Sequence, residues 1–142
     1  MPDCVFCRIV NDTEPASVLY SDEKVMAFMD IRPVNPGHVL VIPKIHTAYI
    51  SELDEEMGTH LFRITMRIAE AVRKSGVRCD GINLFVADGE AAFQEVFHFH
   101  LHIIPRFKRD GFELKFGPNN LLKSNREELN RIATRIRRKL EK

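Results

Sequence analysis

The chain has 142 residues, and its 21 lysines and arginines against 20 aspartates and glutamates give a formal net charge of +1. This balance argues against a general nucleic-acid binder or membrane-surface binder, because no large field of one sign attracts phosphates. The hydrophobic share of 44% excludes a disordered chain, and the length predicts a single domain over residues 1–142.

Strand-like runs alternate with turn residues in the first half of the chain. Three short β-rich runs begin at Val18, Val25 and His38, and prolines together with Gly37 mark the turn before the third run. Short connections of this kind favour antiparallel neighbours. The sequence therefore predicts three antiparallel strands before any long helix.

The hydrophobic period then changes to three or four residues. Apolar residues between positions 53 and 72 form one helical stripe, with Ser51 as the expected N-cap and Gly76 as the expected stop. Two further strands are predicted over residues 82–87 and 97–104. A last helix over about residues 124–141 begins with a capping box formed by Ser124 and Glu127. The order β-β-β-α-β-β-loop-α indicates an α+β fold.

Two features of the sequence, its apolar segments and its cysteines, indicate the cellular compartment. No window approaches the 18 to 20 apolar residues of a membrane span, and the first residues do not resemble a signal peptide, which favours a cytoplasmic protein without membrane contact. Three cysteines, two of them spaced as Cys4-x-x-Cys7, are too few for a disulfide framework. They are interpreted as thiols or metal ligands, with a redox pair as the alternative.

The most informative motif is the alternation of histidine with apolar residues at His98, His100 and His102. On one strand these three side chains would share a face at intervals of roughly 6.5 to 7 Å, with the apolar residues packed on the other. The expected core residues are Phe97, Phe99, Leu101 and Ile103. Three interpretations follow: a histidine-rich surface strand, a catalytic metal site, or a nucleophilic imidazole.

These residues carry a family resemblance. The segment from His98 to Ile104 resembles the His-x-His-x-His-x-x pattern of the histidine triad superfamily of nucleotide hydrolases and transferases. The Cys-x-x-Cys motif, residues 28–31 and residues 33–44 are similar to the amino-terminal half of that family. The resemblance covers a core over residues 4–106 and implies a five-stranded antiparallel sheet in a homodimer.

The resemblance also implies a mechanism. His100, the middle histidine, would attack the α-phosphorus of a nucleotide and form a covalent nucleotidyl-imidazole that water then hydrolyses. His102 would hydrogen-bond the phosphate oxygens, because developing charge requires donors already in place. His38 would support the triad by hydrogen bonding, with a purely structural role as its alternative.

Substrate contacts are implied in the same way. Asp30 matches the family residue that binds the ribose hydroxyls, and Phe28 and Ile31 would contact the base, although an ordinary core role for these two apolar residues stays open. Gln94 matches the conserved glutamine before the triad and is placed with the substrate-binding residues. The expected ligand is a purine nucleotide.

A structural zinc site is implied by a second set of residues. Cys4, Cys7, His46 and His98 resemble the zinc site of the bacterial-type branch of the family. Two thiolates and two imidazoles make a closed tetrahedral set without an open position for water. The expected cofactor is therefore structural zinc.

Three positions depart from the commonest family pattern: Phe93 stands for glycine, Glu95 for serine or threonine, and Ala87 for asparagine or glutamine. The backbone N–H of Phe93 is expected to stay available to phosphate. Glu95 replaces a hydroxyl that contacts the leaving group and is expected to take over that contact as an acid, with repulsion of phosphate or a plain surface position as the alternatives.

Together these features predict a zinc-stabilised nucleotide phosphoramidase or dinucleoside polyphosphate hydrolase. The alternative from another class is a nucleotide-binding interaction module with little turnover. A phosphoesterase that uses the triad as metal ligands is a further rival.

Overall fold

The computed structural model describes residues 3–140 and separates the chain into two compact units, Met1–Asp110 and Gly111–Lys142. The prediction of a single domain over residues 1–142, with a core at residues 4–106, is not tested by this division and stays a prediction.

The first unit contains a five-stranded antiparallel sheet, which confirms the predicted α+β class. Its strands are β1 (Val18–Ser21), β2 (Val25–Met29), β3 (Val39–Pro43), β4 (Gly81–Val86) and β5 (Leu101–Arg106), in the spatial order β1-β2-β3-β5-β4. The long helix α2 (Glu55–Lys74) connects β3 to β4, as predicted. A short helix that the hydrophobic pattern did not reveal, α1 (Val5–Val10), precedes the sheet.

The central strands β2 and β3 are buried on both faces, and side-chain alternation sorts their residues between two apolar clusters. On one face Val25, Val39 and Val41 pack with the buried side of α2. On the other face Phe28 and Leu40 pack with Phe6 of α1. The core therefore lies between α2 and the sheet, and the smaller cluster beneath α1 faces the opposite side.

The start of α2 differs from the prediction. Asp54, not Ser51, caps the helix, because its Oδ1 accepts a hydrogen bond of 2.7 Å from the Met57 backbone N–H. Ser51 lies instead in a 3₁₀ turn, Ile50–Glu52. Periodicity locates a helix but not its first turn, where capping chemistry decides. The predicted stop is confirmed, since Gly76 has a φ of +90° directly after the C-cap Ser75.

The histidine motif does not form one continuous strand. The prediction over residues 97–104 was wrong at its start, because β5 begins at Leu101 and leaves His98 and His100 in irregular backbone. Within this irregular segment the Phe99 backbone N–H donates to the Thr47 carbonyl over 2.6 Å. The predicted common face is consequently absent, since strand alternation applies only from Leu101 onward. Phe97 is 42% exposed, against the prediction, while Phe99, Leu101 and Ile103 are buried.

A tight turn carries the chain into His38. Gly37 has a φ of +98°, and a Cβ on it would lie 2.8 Å from Cγ1 of Val77. Both the left-handed backbone and the missing space require glycine here. This turn sets the position of the histidine that follows it.

The second unit contains a 3₁₀ turn, Pro118–Leu121, and the helix α3 (Arg126–Leu140). The helix begins later than the expected residue 124, because Asn125 Oδ1, and not the Ser124 side chain, accepts from the Glu128 backbone N–H over 2.8 Å. Residue 141, the expected end, lies outside the described residues. The apolar stripe of α3 is exposed and consists of Leu129, Ile132, Ile136 and Leu140.

Among residues 3–140, no helix combines the length and the apolar character needed to cross a membrane.

Candidate active site

A cleft of about 530 Å³ lies on the α1 side of the sheet and collects most of the predicted site residues. Phe28, Asp30, Ile31, Glu95, His100 and His102 all line it. Other lining residues include Val5, Phe6, Ile9, Glu14, Arg32, Phe85, Ala87 and Phe93. His38 and Gln94 are buried outside the lining.

Backbone geometry fixes the proton on His100. Its Nδ1 lies 2.7 Å from the carbonyl oxygen of His98, and because a carbonyl only accepts, Nδ1 must carry the hydrogen. The Nε2 atom of the neutral ring then holds a free lone pair. His100 is therefore arranged as a nucleophile at the wall of the cleft.

Hydrogen bonds through the His38 ring fix the proton of His102 on Nε2, the opposite nitrogen to that in His100. The Val34 backbone N–H donates to Nδ1 of His38 over 3.0 Å, which leaves the hydrogen of the neutral His38 ring on Nε2. That Nε2 donates to Nδ1 of His102 over 2.9 Å. His102 consequently carries its hydrogen on Nε2 and can donate it to an anion.

Burial keeps these rings neutral. It lowers the pKa of His100 and His38, and it lowers the pKa of His98 and His102 to about 4. For His102, positive charge on His100 or on His38 would oppose protonation further. Near neutral pH the tautomers deduced from the backbone hydrogen bonds are thus the populated forms.

Asp30 lies beside the His38 ring. One carboxylate oxygen accepts from the Arg32 backbone N–H over 2.8 Å, and the other is 3.4 Å from Nε2 of His38. Each carboxylate oxygen has two acceptor positions, so capacity toward the cleft remains after these contacts. Its expected role toward ribose is compatible with this geometry and stays a prediction.

Gln94 is committed to the loop that borders the cleft. Its Oε1 accepts from the Gly89 backbone N–H over 2.7 Å, and its Nε2 donates to the carbonyls of Ala48 and Val96. All three hydrogen bonds of this buried amide are therefore made to backbone groups. A direct substrate contact stays a prediction.

The three departures from the family pattern cluster beside the triad. Phe93 adopts a left-handed backbone with a φ of +72°, a conformation that glycine reaches without strain, and its side chain is 81% exposed. Its backbone N–H donates to the Glu90 carbonyl over 3.0 Å. This N–H is therefore already hydrogen-bonded, whereas the sequence predicted that it would be available to phosphate. The exposed Glu95 has no hydrogen-bond or ion-pair partner within residues 3–140.

The four residues of the expected zinc site meet behind the cleft. The ligand atoms of Cys4, Cys7, His46 and His98 all lie within 4.8 Å of one another. Sγ of Cys4 is 3.3 Å from Nδ1 of His98, and Sγ of Cys7 is 3.3 Å from Nδ1 of His46. Bonds of about 2.0 to 2.3 Å to a tetrahedral zinc place ligands about 3.3 to 3.8 Å apart, so the set fits that ion.

His98 is prepared for metal binding by its other nitrogen. Its Nε2 lies 2.7 Å from the Pro43 carbonyl, which fixes the hydrogen there and leaves the Nδ1 lone pair toward the thiols. The ring is fully buried. The side chain of His98 thus lies toward the thiols of the four-residue cluster, while its carbonyl oxygen accepts the hydrogen bond from His100.

The rival of a metal held by all three triad histidines does not match this geometry. The four-residue cluster takes only His98 from the triad, and a second group of close ligand atoms contains His102 with Asp30 and His38. His100 belongs to neither group within residues 3–140. The three histidines therefore have separate partners.

Sequence reasoning missed the contribution of α1 to the cleft. Phe6, between the two cysteines, packs edge-on against the His100 ring with centroids 5.1 Å apart. Phe85 of β4 packs similarly against His102 at 5.6 Å. The only available signal was an aromatic residue inside Cys-x-x-Cys, because periodicity cannot identify a six-residue helix.

The lowered pKa of His102 gives a pH dependence with a definite sign. The unfolded chain, with a histidine pKa near 6.5, binds more protons than the folded chain between pH 6.5 and about 4. The contribution of the neutral His102 ring to the stability of the fold is complete above pH 6.5 and is lost as the pH falls from 6.5 toward 4. The free energy of unfolding of wild type, measured in urea, should exceed that of His102→Gln by about 1 to 3 kcal/mol more at pH 7.5 than at pH 4.5. Protonation of the residues in the four-residue cluster affects both proteins and cancels in the difference between them. A difference in the free energy of unfolding that does not change with pH would therefore contradict the lowered pKa of His102.

Comparison with known proteins agrees with this geometry. The model of the HIT domain family matches residues 11–109. An uncharacterized HIT-like protein of Borreliella burgdorferi is 39% identical over 137 residues, covering 96% of this chain and 97% of the relative. Adenylylsulfatase HINT3 of Arabidopsis thaliana is 38% identical over 108 residues, covering 76% of this chain and 54% of that protein.

A solved structure is also similar to this chain. The crystal structure of a zinc-bound histidine triad family protein from Mycobacterium smegmatis is 42% identical and superposes with a TM-score of 0.75, covering 92% of this chain and 89% of the other. The family model spans most of the chain, and the triad lies inside the matched residues. The chain belongs to the HIT family.

Proposed function

We propose that the protein is a nucleotide hydrolase or transferase that cleaves purine nucleotide conjugates at the α-phosphate through a covalent intermediate on His100. The observation that carries this proposal is the pair of tautomers in the cleft. His100 presents a lone pair while His102, with its ring centroid 5.0 Å away, presents an N–H. A nucleophile beside a preset donor is what transfer at phosphorus requires.

The reaction follows from these two nitrogens. Nε2 of His100 attacks the α-phosphorus, the bond to the leaving group breaks, and the leaving group departs with the electron pair. The N–H of His102 stabilises the charge on the phosphate oxygens. Water then attacks the nucleotidyl-imidazole and loses a proton to solvent, the P–N bond breaks, and the nucleotide and the neutral imidazole are released, while the departed leaving group takes up a proton from solvent.

The surrounding residues support a nucleotide conjugate as substrate. Asp30 is assigned to the ribose hydroxyls, and the apolar Phe28 and Ile31 on the same side are assigned to the base. Glu95, exposed and unpartnered near His100, is assigned to the leaving group, a phosphoramidate amine or a nucleoside polyphosphate. The Arabidopsis relative, named as an adenylylsulfatase, supports transfer at an adenylyl phosphorus.

A second candidate is a nucleotide-binding module with little turnover. The specific observation in its favour is electrostatic: Glu14, Asp30 and Glu95 line the cleft with Arg32 as its one cationic residue among those that the structure describes. Carboxylates near the phosphates oppose the approach of further negative charge. Trapping the intermediate separates the two candidates.

The decisive experiment is a single turnover with adenosine 5′-phosphoramidate that is quenched in alkaline denaturant, because the P–N bond to histidine is acid-labile, followed by mass spectrometry of the peptides. Wild type should carry an adenylyl group on His100. The variant His100→Ala should lose the adduct and all turnover while binding AMP within a few-fold of wild type. His60→Ala, on α2 and paired with Asp22 outside the cleft, is the matched control and should retain both. AMP binding without adduct or turnover in wild type would favour the binding module.

We also propose that the four-residue cluster holds structural zinc. Its closed Cys₂His₂ donor set, the matching distances and the zinc in the Mycobacterium smegmatis relative support this assignment. When bound, zinc crosslinks α1 to the sheet and supplies folding energy rather than a reactive water.

Metal analysis checks the zinc assignment. Protein purified without chelator should contain about one zinc per chain, and the Cys4→Ala, Cys7→Ala double variant should lose zinc and melt at least about 5 °C lower. Cys79→Ala is the matched control, because Cys79 lies outside the cluster and should leave the zinc content unchanged. Full zinc content in the double variant would contradict the assignment.

Finally, we propose that two copies form a homodimer through the β4 edge of the sheet. Leu84 and Phe85 of β4 are 44% and 41% exposed, and Phe62 and Met66 of α2 are 46% and 60% exposed. An unpaired strand edge beside an apolar patch is suited to pairing with a second copy. The family resemblance implies a homodimer, and the choice of the β4 edge rests on these exposed residues.

Light scattering after size exclusion tests the dimer. Wild type should have twice the chain mass, and Leu84→Lys should shift it to the monomer, because a charge would be buried in the interface. Leu19→Lys, on the exposed opposite edge strand β1, is the control and should remain dimeric. A monomeric wild type, or a dimer that only the control disrupts, would overturn this interface.

A further inference from the structure

The two thiols of the metal cluster both belong to the α1 segment, and their partners both belong to the sheet side. Cys4 caps the amino terminus of α1 and Cys7 lies within it, whereas His46 follows β3 and His98 precedes β5. The side-chain contacts that join these cysteines to the rest of the unit end on His46 and His98. A metal in this cluster would therefore fasten α1 to the sheet.

The residue between the two thiols faces the candidate nucleophile. Phe6 is 6% exposed, and its ring packs edge-on against Phe28, His98 and His100 at centroid distances of 5.4, 5.8 and 5.1 Å. The interplanar angle with His100 is 86°, so the ring edge is in contact with the nucleophilic imidazole. One phenyl ring thus touches a metal ligand and the nucleophile together.

The α1 helix has little capacity to hold this position alone. It contains six residues, well below the length at which an isolated helix is stable in water. Among residues 3–140, its recorded backbone hydrogen bonds reach no further than Thr13 and none joins the sheet. Its position depends on the apolar packing of Val5, Phe6, Ile9 and Val10 in the smaller cluster and on the two thiols.

We infer that Phe6 is a positioning residue for His100 and that it couples the metal cluster to the nucleotide cleft. Metal on Cys4 and Cys7 holds α1 in place, Phe6 then supports the His100 ring, and a nucleotide bound in the cleft favours the same arrangement. This inference rests on the proposed function of the cleft. It adds a property that the two sites do not have separately, a reciprocal effect of zinc and nucleotide on each other's binding.

The test measures zinc affinity by competition with a chromophoric chelator, with and without saturating AMP. In wild type AMP should tighten zinc binding about fivefold or more. In Phe6→Ala the effect should fall to less than twofold at an AMP concentration that saturates that variant. Val10→Ala is the matched control, since Val10 packs in the same apolar cluster on the same helix without lining the cleft. It should retain the wild-type coupling.

Steady-state kinetics of the zinc-loaded proteins give a second readout. Phe6→Ala should lower kcat about tenfold or more at full zinc content, because a displaced nucleophile slows transfer at phosphorus. Phe6→Leu, which keeps an apolar side chain of similar reach, should restore part of kcat. A change confined to KM would identify Phe6 as a binding contact only and would overturn the positioning role.

The outcomes separate the inference from the function on which it rests. If AMP binds to wild type without changing zinc affinity, or if Phe6→Ala keeps the full coupling, the inference is wrong while the proposed function stands. If wild type binds no AMP, the proposed function fails and the inference fails with it.

Discussion

The burial of neutral imidazoles is the constraint on which the site depends. A neutral ring has one donor and one acceptor, so each buried histidine needs a partner that fixes which nitrogen carries the hydrogen. The carbonyls of Pro43 and His98 and the N–H of Val34 provide those partners, each with a single possible role. Three backbone groups consequently determine which nitrogen carries the hydrogen in the proposed metal ligand His98, in the proposed nucleophile His100 and, through His38, in the proposed anion donor His102.

The backbone around His98 explains why the four-residue cluster and the cleft adjoin each other. His98 directs its side chain to the thiols and its carbonyl to His100, two residues later. Such opposed directions arise because the segment before β5 is irregular and its side chains do not alternate as on a strand. Phe6, in contact with both rings, adds a second connection from the α1 side.

The charge of the cleft limits what it can accept. Three carboxylates line the cleft that we propose binds an anionic nucleotide, and one of them, Glu95, lines it together with His100 and His102. In the proposed complex, apolar contacts to the base and the N–H of His102 would offset part of the repulsion between the carboxylates and the phosphates. The left-handed Phe93 beside Glu95 is a strain that a glycine would avoid, and it exposes an aromatic ring at the entrance.

The sequence by itself determined the strand order along the chain and the long helix, because the hydrophobic period is a local property. The resemblance to the family pointed to Cys4, Cys7, His46 and His98, whose ligand atoms the structure brings within 4.8 Å of one another, and their zinc is a proposal. The sequence assigned the helix cap to Ser51 instead of Asp54 and extended the last strand back to Phe97, since caps and strand ends depend on specific hydrogen bonds. Only the tertiary structure revealed α1 and the tautomers of the histidines. These depend on partners up to 94 residues away in the chain, as between Cys4 and His98, and no local pattern encodes such contacts.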